Sequence, residues 1–297
     1  MNKRLLAHLA LFGANLIYGI NYTVAKDVMP DYIEPLGFIL VRVTGAVIMF
    51  WLCYVLFYYE KVKANDLIKL AICGLFGVAI NQMLFFEGLN LTTPINAAVI
   101  MVSNPILVLL FGVFFATEGF STKKGIGVAL GAIGALTLIT NGGQLSLNNE
   151  HFWGNIMVFL NASSYAVYLV LVKPLMKKYK PITVISWVFL FGIIFVIPFG
   201  WSDFQAIQWS AMPSAILWSV VFVVVGTTFL AYLFNIYGLK TLNPSTVSTY
   251  IYLQPVLASI VAIIASSDEL NLIKVISAIL IFLGVYLVSQ KTKPAQD

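Results

Sequence analysis

Charge is what this chain has least of. Asp, Glu, Lys and Arg make up 10% of its 297 residues, 60% are hydrophobic, and mean hydropathy is +0.94. A water-soluble domain carries about a quarter of its residues as charge, so this composition excludes one. Cysteine is scarce too. Cys53 and Cys73 lie inside apolar stretches without metal-ligand spacing, which excludes a disulfide framework and predicts two buried thiols. The two histidines, His8 and His151, stand too far apart in sequence to indicate a site and are read as incidental. No Walker A loop, HExxH pair or G-x-S-x-G elbow occurs, so direct ATP drive and the corresponding hydrolase chemistries are not expected. Neither a cofactor nor a metal site is predicted, and the chain is not read as an enzyme. The net charge of +5 is too diffuse to read as nucleic-acid binding and is better taken as topogenic charge in short loops.

What the chain has in quantity is long apolar runs. Ten segments of membrane-spanning character follow one another, at about 5–25, 36–58, 67–89, 95–117, 125–140, 152–172, 182–200, 214–237, 245–266 and 272–289. The first run shows no convincing small-residue cleavage site and is read as an uncleaved span. With the N-terminus inside, fourteen of the 17 Lys and Arg fall on the cytoplasmic side. Lys26 and Lys274 fall outside, and Arg42 lies within a span. That asymmetry predicts a multi-pass protein with both termini cytoplasmic.

The chain also repeats itself. Pro94 to Pro105 and Pro244 to Pro255 have the same spacing, and each follows a Gly-Leu step, Gly88-Leu89 and Gly238-Leu239. In each copy an amide, Asn104 or Gln254, precedes the second proline. Tyr18, Lys26, Tyr32 and Gly45 match Tyr165, Lys173, Tyr179 and Gly192 at an offset of 147, and Gly134 matches Gly284 at 150. An odd number of spans per half inserts the second half upside down, the plan of many secondary transporters. The expected division is a first five-helix repeat over 1–141, a linker over 142–151, a second repeat over 152–290 and a cytoplasmic tail over 291–297. A proline within a helix removes a hydrogen bond and bends the axis, so Pro105 and Pro255 predict matching kinks.

The stretch Leu16-Ile17-Tyr18-Gly19-Ile20-Asn21-Tyr22 with Lys26, followed by Arg42, resembles the opening of the EamA-like drug/metabolite transporters. Gly88-Leu89, Ala97-Ala98, Pro105, Glu118 and the run from Gly127 to Gly134 resemble the rest of that family's five-span repeat. Gly238-Leu239, Pro255, Glu269 and Gly284 repeat it more weakly. The resemblance covers nearly the whole chain. It implies an all-α membrane fold of ten helices around a central cavity, with export or facilitated passage of small metabolites across a bacterial inner membrane. The chain departs from the pattern at Glu87, where a small apolar residue is expected. It also has Phe189 opposite Arg42, which makes the site asymmetric.

An arginine near the bilayer centre costs on the order of 3 kcal/mol even on lenient scales. Arg42 is therefore read either as a cation attracting a substrate carboxylate or as a residue that snorkels to the interface or pairs with an acid. Glu87 is read either as a proton carrier or as a helix-end carboxylate paired with Arg42. Polar faces complete the candidate lining: Asn15, Tyr18 and Asn21 in segment one, Asn81 and Gln82 in segment three, and Asn96, Ser103 and Asn104 in segment four. The second half adds Tyr165, Tyr168, Tyr232, Asn235, Thr249, Tyr250 and Gln254. The competing reading for these is interhelical hydrogen bonding. Gly127, Gly131 and Gly134 admit close helix packing, within the chain or at the seam of a homodimer; the protein is read as a monomer or a homodimer. Together these features describe a secondary transporter of a small-molecule substrate, an amino acid or similar amphipathic solute, working by alternating access in the lipid bilayer. Proton coupling through Glu87 is part of that reading. A passive facilitator is the alternative, and a membrane-embedded enzyme or sensor is disfavoured by loops short of catalytic residue types.

Overall fold

The computed structural model describes residues 3–115, 121–139, 151–241 and 250–289, and among them the chain is all-helical, with no strand. Residues 142–150 of the linker, Glu118, Thr249 and the tail named above lie outside the described residues. Helix α1 is Lys3–Val28. Helices α2, α3 and α4 are Pro35–Tyr58, Ala64–Leu91 and Pro94–Phe114. Helix α5 is Thr122–Ile139. Helices α6 and α7 are Phe152–Lys178 and Pro181–Ala206. Helix α8 runs over 214–241, α9 is Tyr250–Ile264 and α10 is Leu272–Ser289. Seven of these segments, α1–α4, α6, α7 and Ser214–Asn235 of α8, are long and apolar enough to cross a membrane, and α9 and α10 are shorter apolar helices.

Proline sets several starts. Pro35, Pro94 and Pro181 each occupy the first turn of a helix, where a missing N–H costs nothing. Thr93 caps α4 by accepting from the Asn96 N–H at 3.3 Å. Pro105 does what the sequence predicts: α4 breaks at Val102–Ser103 and resumes at Asn104, with Pro105 in the first turn of the new stretch. Its repeat mate Pro255 follows a short tighter turn, Tyr250–Tyr252, at the start of α9.

Packing pairs the halves with each other. Helix α2 lies along α7 and α5 along α10; α1 packs on α8 and α9, while α6 packs on α3 and α4. Exchanging the first five helices for the last five leaves this pattern unchanged. The details obey the same exchange. A Cβ at Gly45 would collide with Val224, and one at Gly192 with Val78, so each glycine forms the socket for a valine of the other half. Wide π-helical turns occur at Leu75–Ala79 in α3 and at Phe222–Leu230 in α8, the starts of which are again 147 residues apart. The glycine stripe of α5 is used inside the chain. A Cβ at Gly134 would strike Ile281 and Leu280, and one at Gly284 would lie 2.7 Å from the Gly131 nitrogen.

The bundle is apolar outside and encloses polar residues within its apolar core. Ile48, Phe57, Ile68, Phe114, Trp218, Ile264 and Leu272 are exposed, whereas Asn15, Asn21, Arg42, Gln82, Asn155 and Asn161 are buried. In water that arrangement would be unstable; in lipid the large apolar exterior is the solvated one.

Candidate functional site

The π-helical turn of α8 builds one wall of the polar interior. Such a turn breaks the regular i→i−4 ladder and frequently marks a functional site. Thr228 sits in it, and its hydroxyl donates to the Val223 carbonyl at 3.2 Å. That leaves the same oxygen facing α2, where it accepts from Arg42 Nε at 2.7 Å. The adjacent Thr227 hydroxyl donates to Asn21 Oδ1 at 3.0 Å, tying α1 to the same wall. Arg42 is 7% exposed, and its guanidinium carbon lies 5.2 Å from the centre of the Phe86 ring. Neither Thr228 nor Phe86 was singled out from the sequence.

Two tyrosines, Tyr18 and Tyr232, approach this cation, and Tyr165 and Tyr168 lie beside them. Tyr18 lies within electrostatic reach of Arg42, Tyr165 and Tyr232, and Tyr168 within reach of Tyr165 and Tyr232. The Tyr165 and Tyr168 rings are 5.7 Å apart, and Tyr232 packs against Phe50 and Phe189, each at 5.9 Å. Gly77, in the π-helical turn of α3, leaves the space that the Tyr168 ring occupies. Asn235 donates to the Tyr18 hydroxyl at 3.4 Å and to the Ala231 carbonyl at 2.9 Å, orienting that ring. The sequence-derived residues Tyr18, Asn21, Arg42, Tyr165, Tyr168, Tyr232 and Asn235 thus come together from α1, α2, α6 and α8.

A second group flanks them. Asn15 accepts from Gln254 at 3.0 Å and donates to the Leu11 carbonyl at 2.8 Å, and Tyr22 donates to Gln254 at 3.5 Å. Asn81 donates to the Asn161 carbonyl at 3.2 Å and receives the Asn161 amide in return on its own carbonyl, joining α3 to α6. Ser164 donates to the Phe76 carbonyl at 2.6 Å, in the π-helical turn of α3. Asn104, the repeat mate of Gln254, turns back to the Met101 carbonyl at 3.1 Å, because the position that matches Asn15 in α6 is Ala162. Ser103 likewise bonds its own helix, to the Ile100 carbonyl at 2.6 Å, and Asn96 bonds Thr92. The side-chain oxygens of Gln82, Asn96, Asn104 and Asn161 are buried without a donor. Each such oxygen costs about 1–3 kcal/mol unless something donates to it.

Several expectations are corrected by the geometry. Glu87 does not pair with Arg42. It is half-buried at the far end of α3, where its electrostatic neighbours are Asp203 and Glu34, while the helix turns Phe86 toward the arginine. Tyr250 lies apart from the tyrosine group, with its hydroxyl 2.7 Å from His8 Nδ1, so His8 is engaged rather than incidental. Among the described residues no three His, Cys, Asp or Glu side chains are placed to hold a metal ion.

An apolar helical bundle with a guanidinium, tyrosines and amides enclosed at its centre is a membrane-embedded protein with a polar interior. The chain belongs to the EamA-like transporter family, whose model matches residues 5–140 and again 152–290. It is similar to an uncharacterized transporter, YyaM, of Bacillus subtilis (strain 168), at 26% identity covering 97% of this chain and 94% of the relative. It is similar to an Archaeoglobus fulgidus protein, also named an uncharacterized transporter, at 25% identity covering 92% and 95%. The Arabidopsis thaliana protein WALLS ARE THIN 1 is 24% identical, covering 96% of this chain and 83% of that one. A solved crystal structure matches with a TM-score of 0.62 and 19% identity, over 95% of this chain and 96% of that one, which shows the shared fold.

Proposed function

We propose that this protein is a secondary transporter that exports a small zwitterionic or anionic amphipathic metabolite, such as an amino acid, by alternating access. The observation that carries this reading is Arg42: a buried guanidinium at the centre of the bundle, bonded through Nε to a neutral hydroxyl and surrounded by aromatic rings rather than by carboxylates. A buried charge without its counterion is costly, so a substrate carboxylate is the partner that would relieve it. The donor-less amide oxygens on α3, α4 and α6 supply acceptors for a substrate ammonium or hydroxyl. The tyrosine faces supply an apolar yet hydrogen-bonding wall for its body.

The mechanism follows from the exchange of partners between halves. The reading has ten spans in two inverted five-helix repeats, divided at 142–151, with both termini in the cytoplasm of a bacterium and the protein in its inner membrane. The twofold family match and the half-to-half packing support the duplication, and the lysine bias supports the orientation. In this structure Arg42, Asn21 and Tyr168 are closed off from solvent. Rocking of one half against the other would open the site to one side at a time. The test is uptake and counterflow in proteoliposomes against a panel of amino acids and other small metabolites. Saturable uptake with counterflow supports a carrier; non-saturable flux without counterflow would establish the passive facilitator instead.

A further inference from the structure

The lysine-rich end of the bundle holds a set of side chains that the central site does not use. Asp66, in the first turn of α3, is 5% exposed. Its Oδ2 accepts from the Tyr179 hydroxyl at 2.7 Å and from the Lys178 ammonium, and its Oδ1 lies 3.8 Å from Lys69. The Tyr179 oxygen accepts in turn from the Lys63 N–H at 3.1 Å. Six residues earlier, Glu60 Oε2 accepts from the Lys180 N–H at 2.9 Å and from the Thr183 hydroxyl at 2.8 Å. Apart from the contact with Lys69, these bonds join the α2–α3 connection of the first half to the α6–α7 connection of the second. The other end of α2, α3 and α7 is built differently. There Glu87 has Asp203 and Glu34 as its electrostatic neighbours, and like charges repel.

We propose that Asp66, with Lys178, Tyr179 and Glu60, forms the latch that closes the lysine-rich entrance, and that it must release before solute reaches the Arg42 site from that side. The proposal rests on the alternating-access reading above. Two properties suit Asp66 to the task. While the latch is shut, its buried carboxylate is satisfied by a cation and a phenol, so the closed form is well defined. When the two connections part, carboxylate and ammonium both return to water. The Lys178 side chain is already 42% exposed, so the pair breaks and remakes at modest cost. A fully buried pair would lock the protein instead.

The native Cys73 reports on the latch. It is free and fully buried, two turns beyond Asp66 on α3 and within electrostatic reach of Tyr168. In a Cys53→Ala background, labelling of Cys73 by a membrane-impermeant thiosulfonate is measured in vesicles of each orientation, alongside counterflow. Asp66→Asn and Lys178→Gln should each speed labelling from the lysine-rich side by about tenfold. The exchanged pair Asp66→Lys with Lys178→Asp should restore protection, and Lys69→Gln, at a side chain 67% exposed, should change nothing. Unchanged labelling in both Asp66→Asn and Lys178→Gln, with counterflow intact in the parent, would overturn the latch alone. A parent protein labelled equally from both sides and lacking counterflow would overturn alternating access, and the latch with it.

Discussion

Arg42 is held by its Nε bond to Thr228 and by the face of Phe86, which leaves most of a five-donor fork available to a ligand. Arg42→Gln keeps a hydrogen-bonding side chain but removes the charge and shortens the reach by two atoms; it should lower uptake of carboxylate-bearing solutes by about a hundredfold while leaving membrane insertion intact. Arg42→Lys keeps the charge and loses the fork, so partial activity with a raised KM is expected. Glu87 makes a separate case. Its electrostatic neighbours Asp203 and Glu34 are acidic, and the reading of it as a proton carrier has a direct test. If it carries a proton, Glu87→Gln abolishes uphill uptake driven by a pH gradient and preserves counterflow; unchanged gradient-driven uptake removes the role. Arg42 was legible in the sequence because a charge inside an apolar run is conspicuous, and Tyr18 and Tyr165 because they recur at one offset. Thr228 and Phe86 were not, since a Thr or a Phe in such a run says nothing until the backbone aims it. The false pairing of Arg42 with Glu87 came from equating depth with proximity: on a helix, the residue next in sequence to Phe86 points about 100° away from it.

At the scale of elements, glycine decides which helices can touch. The α5–α10 crossing brings Gly284 against the Gly127 carbonyl and the Gly131 nitrogen, and backbone atoms cannot move aside as a side chain can. Gly284→Val should therefore spread the crossing at a cost of about 1–3 kcal/mol, read as a lower unfolding temperature in detergent. The neighbouring Leu283 is half-exposed on the exterior, so Leu283→Val should leave that temperature nearly unchanged. The repeat of prolines at 105 and 255 announced special geometry in α4 and α9, and the break at Val102–Ser103 supplies it in α4. The wide turns at Leu75–Ala79 and Phe222–Leu230 had no such announcement. No residue type specifies a π-helical turn, and these arise where a helix must bring polar groups to a neighbour packed close against it. The repeat offset could have linked the two turns once one was known, but not found the first.

At the scale of the whole molecule, orientation is the property that loop charge sets most directly. Reporter fusions after Lys178 should read cytoplasmic and fusions within 146–150 periplasmic; the reverse at either place would break the ten-span reading. The interleaving of halves has a different consequence, for how the protein is made. Helix α1 packs on α8 and α9, and Arg42 of α2 bonds Thr228 of α8, so the first half enters the membrane long before its partners have been synthesised. During that interval Arg42 and the amides of α1 face lipid or whatever protein attends the nascent chain. Polar residues that the finished protein encloses are thus a burden during its biogenesis, and the last helices to be synthesised relieve it.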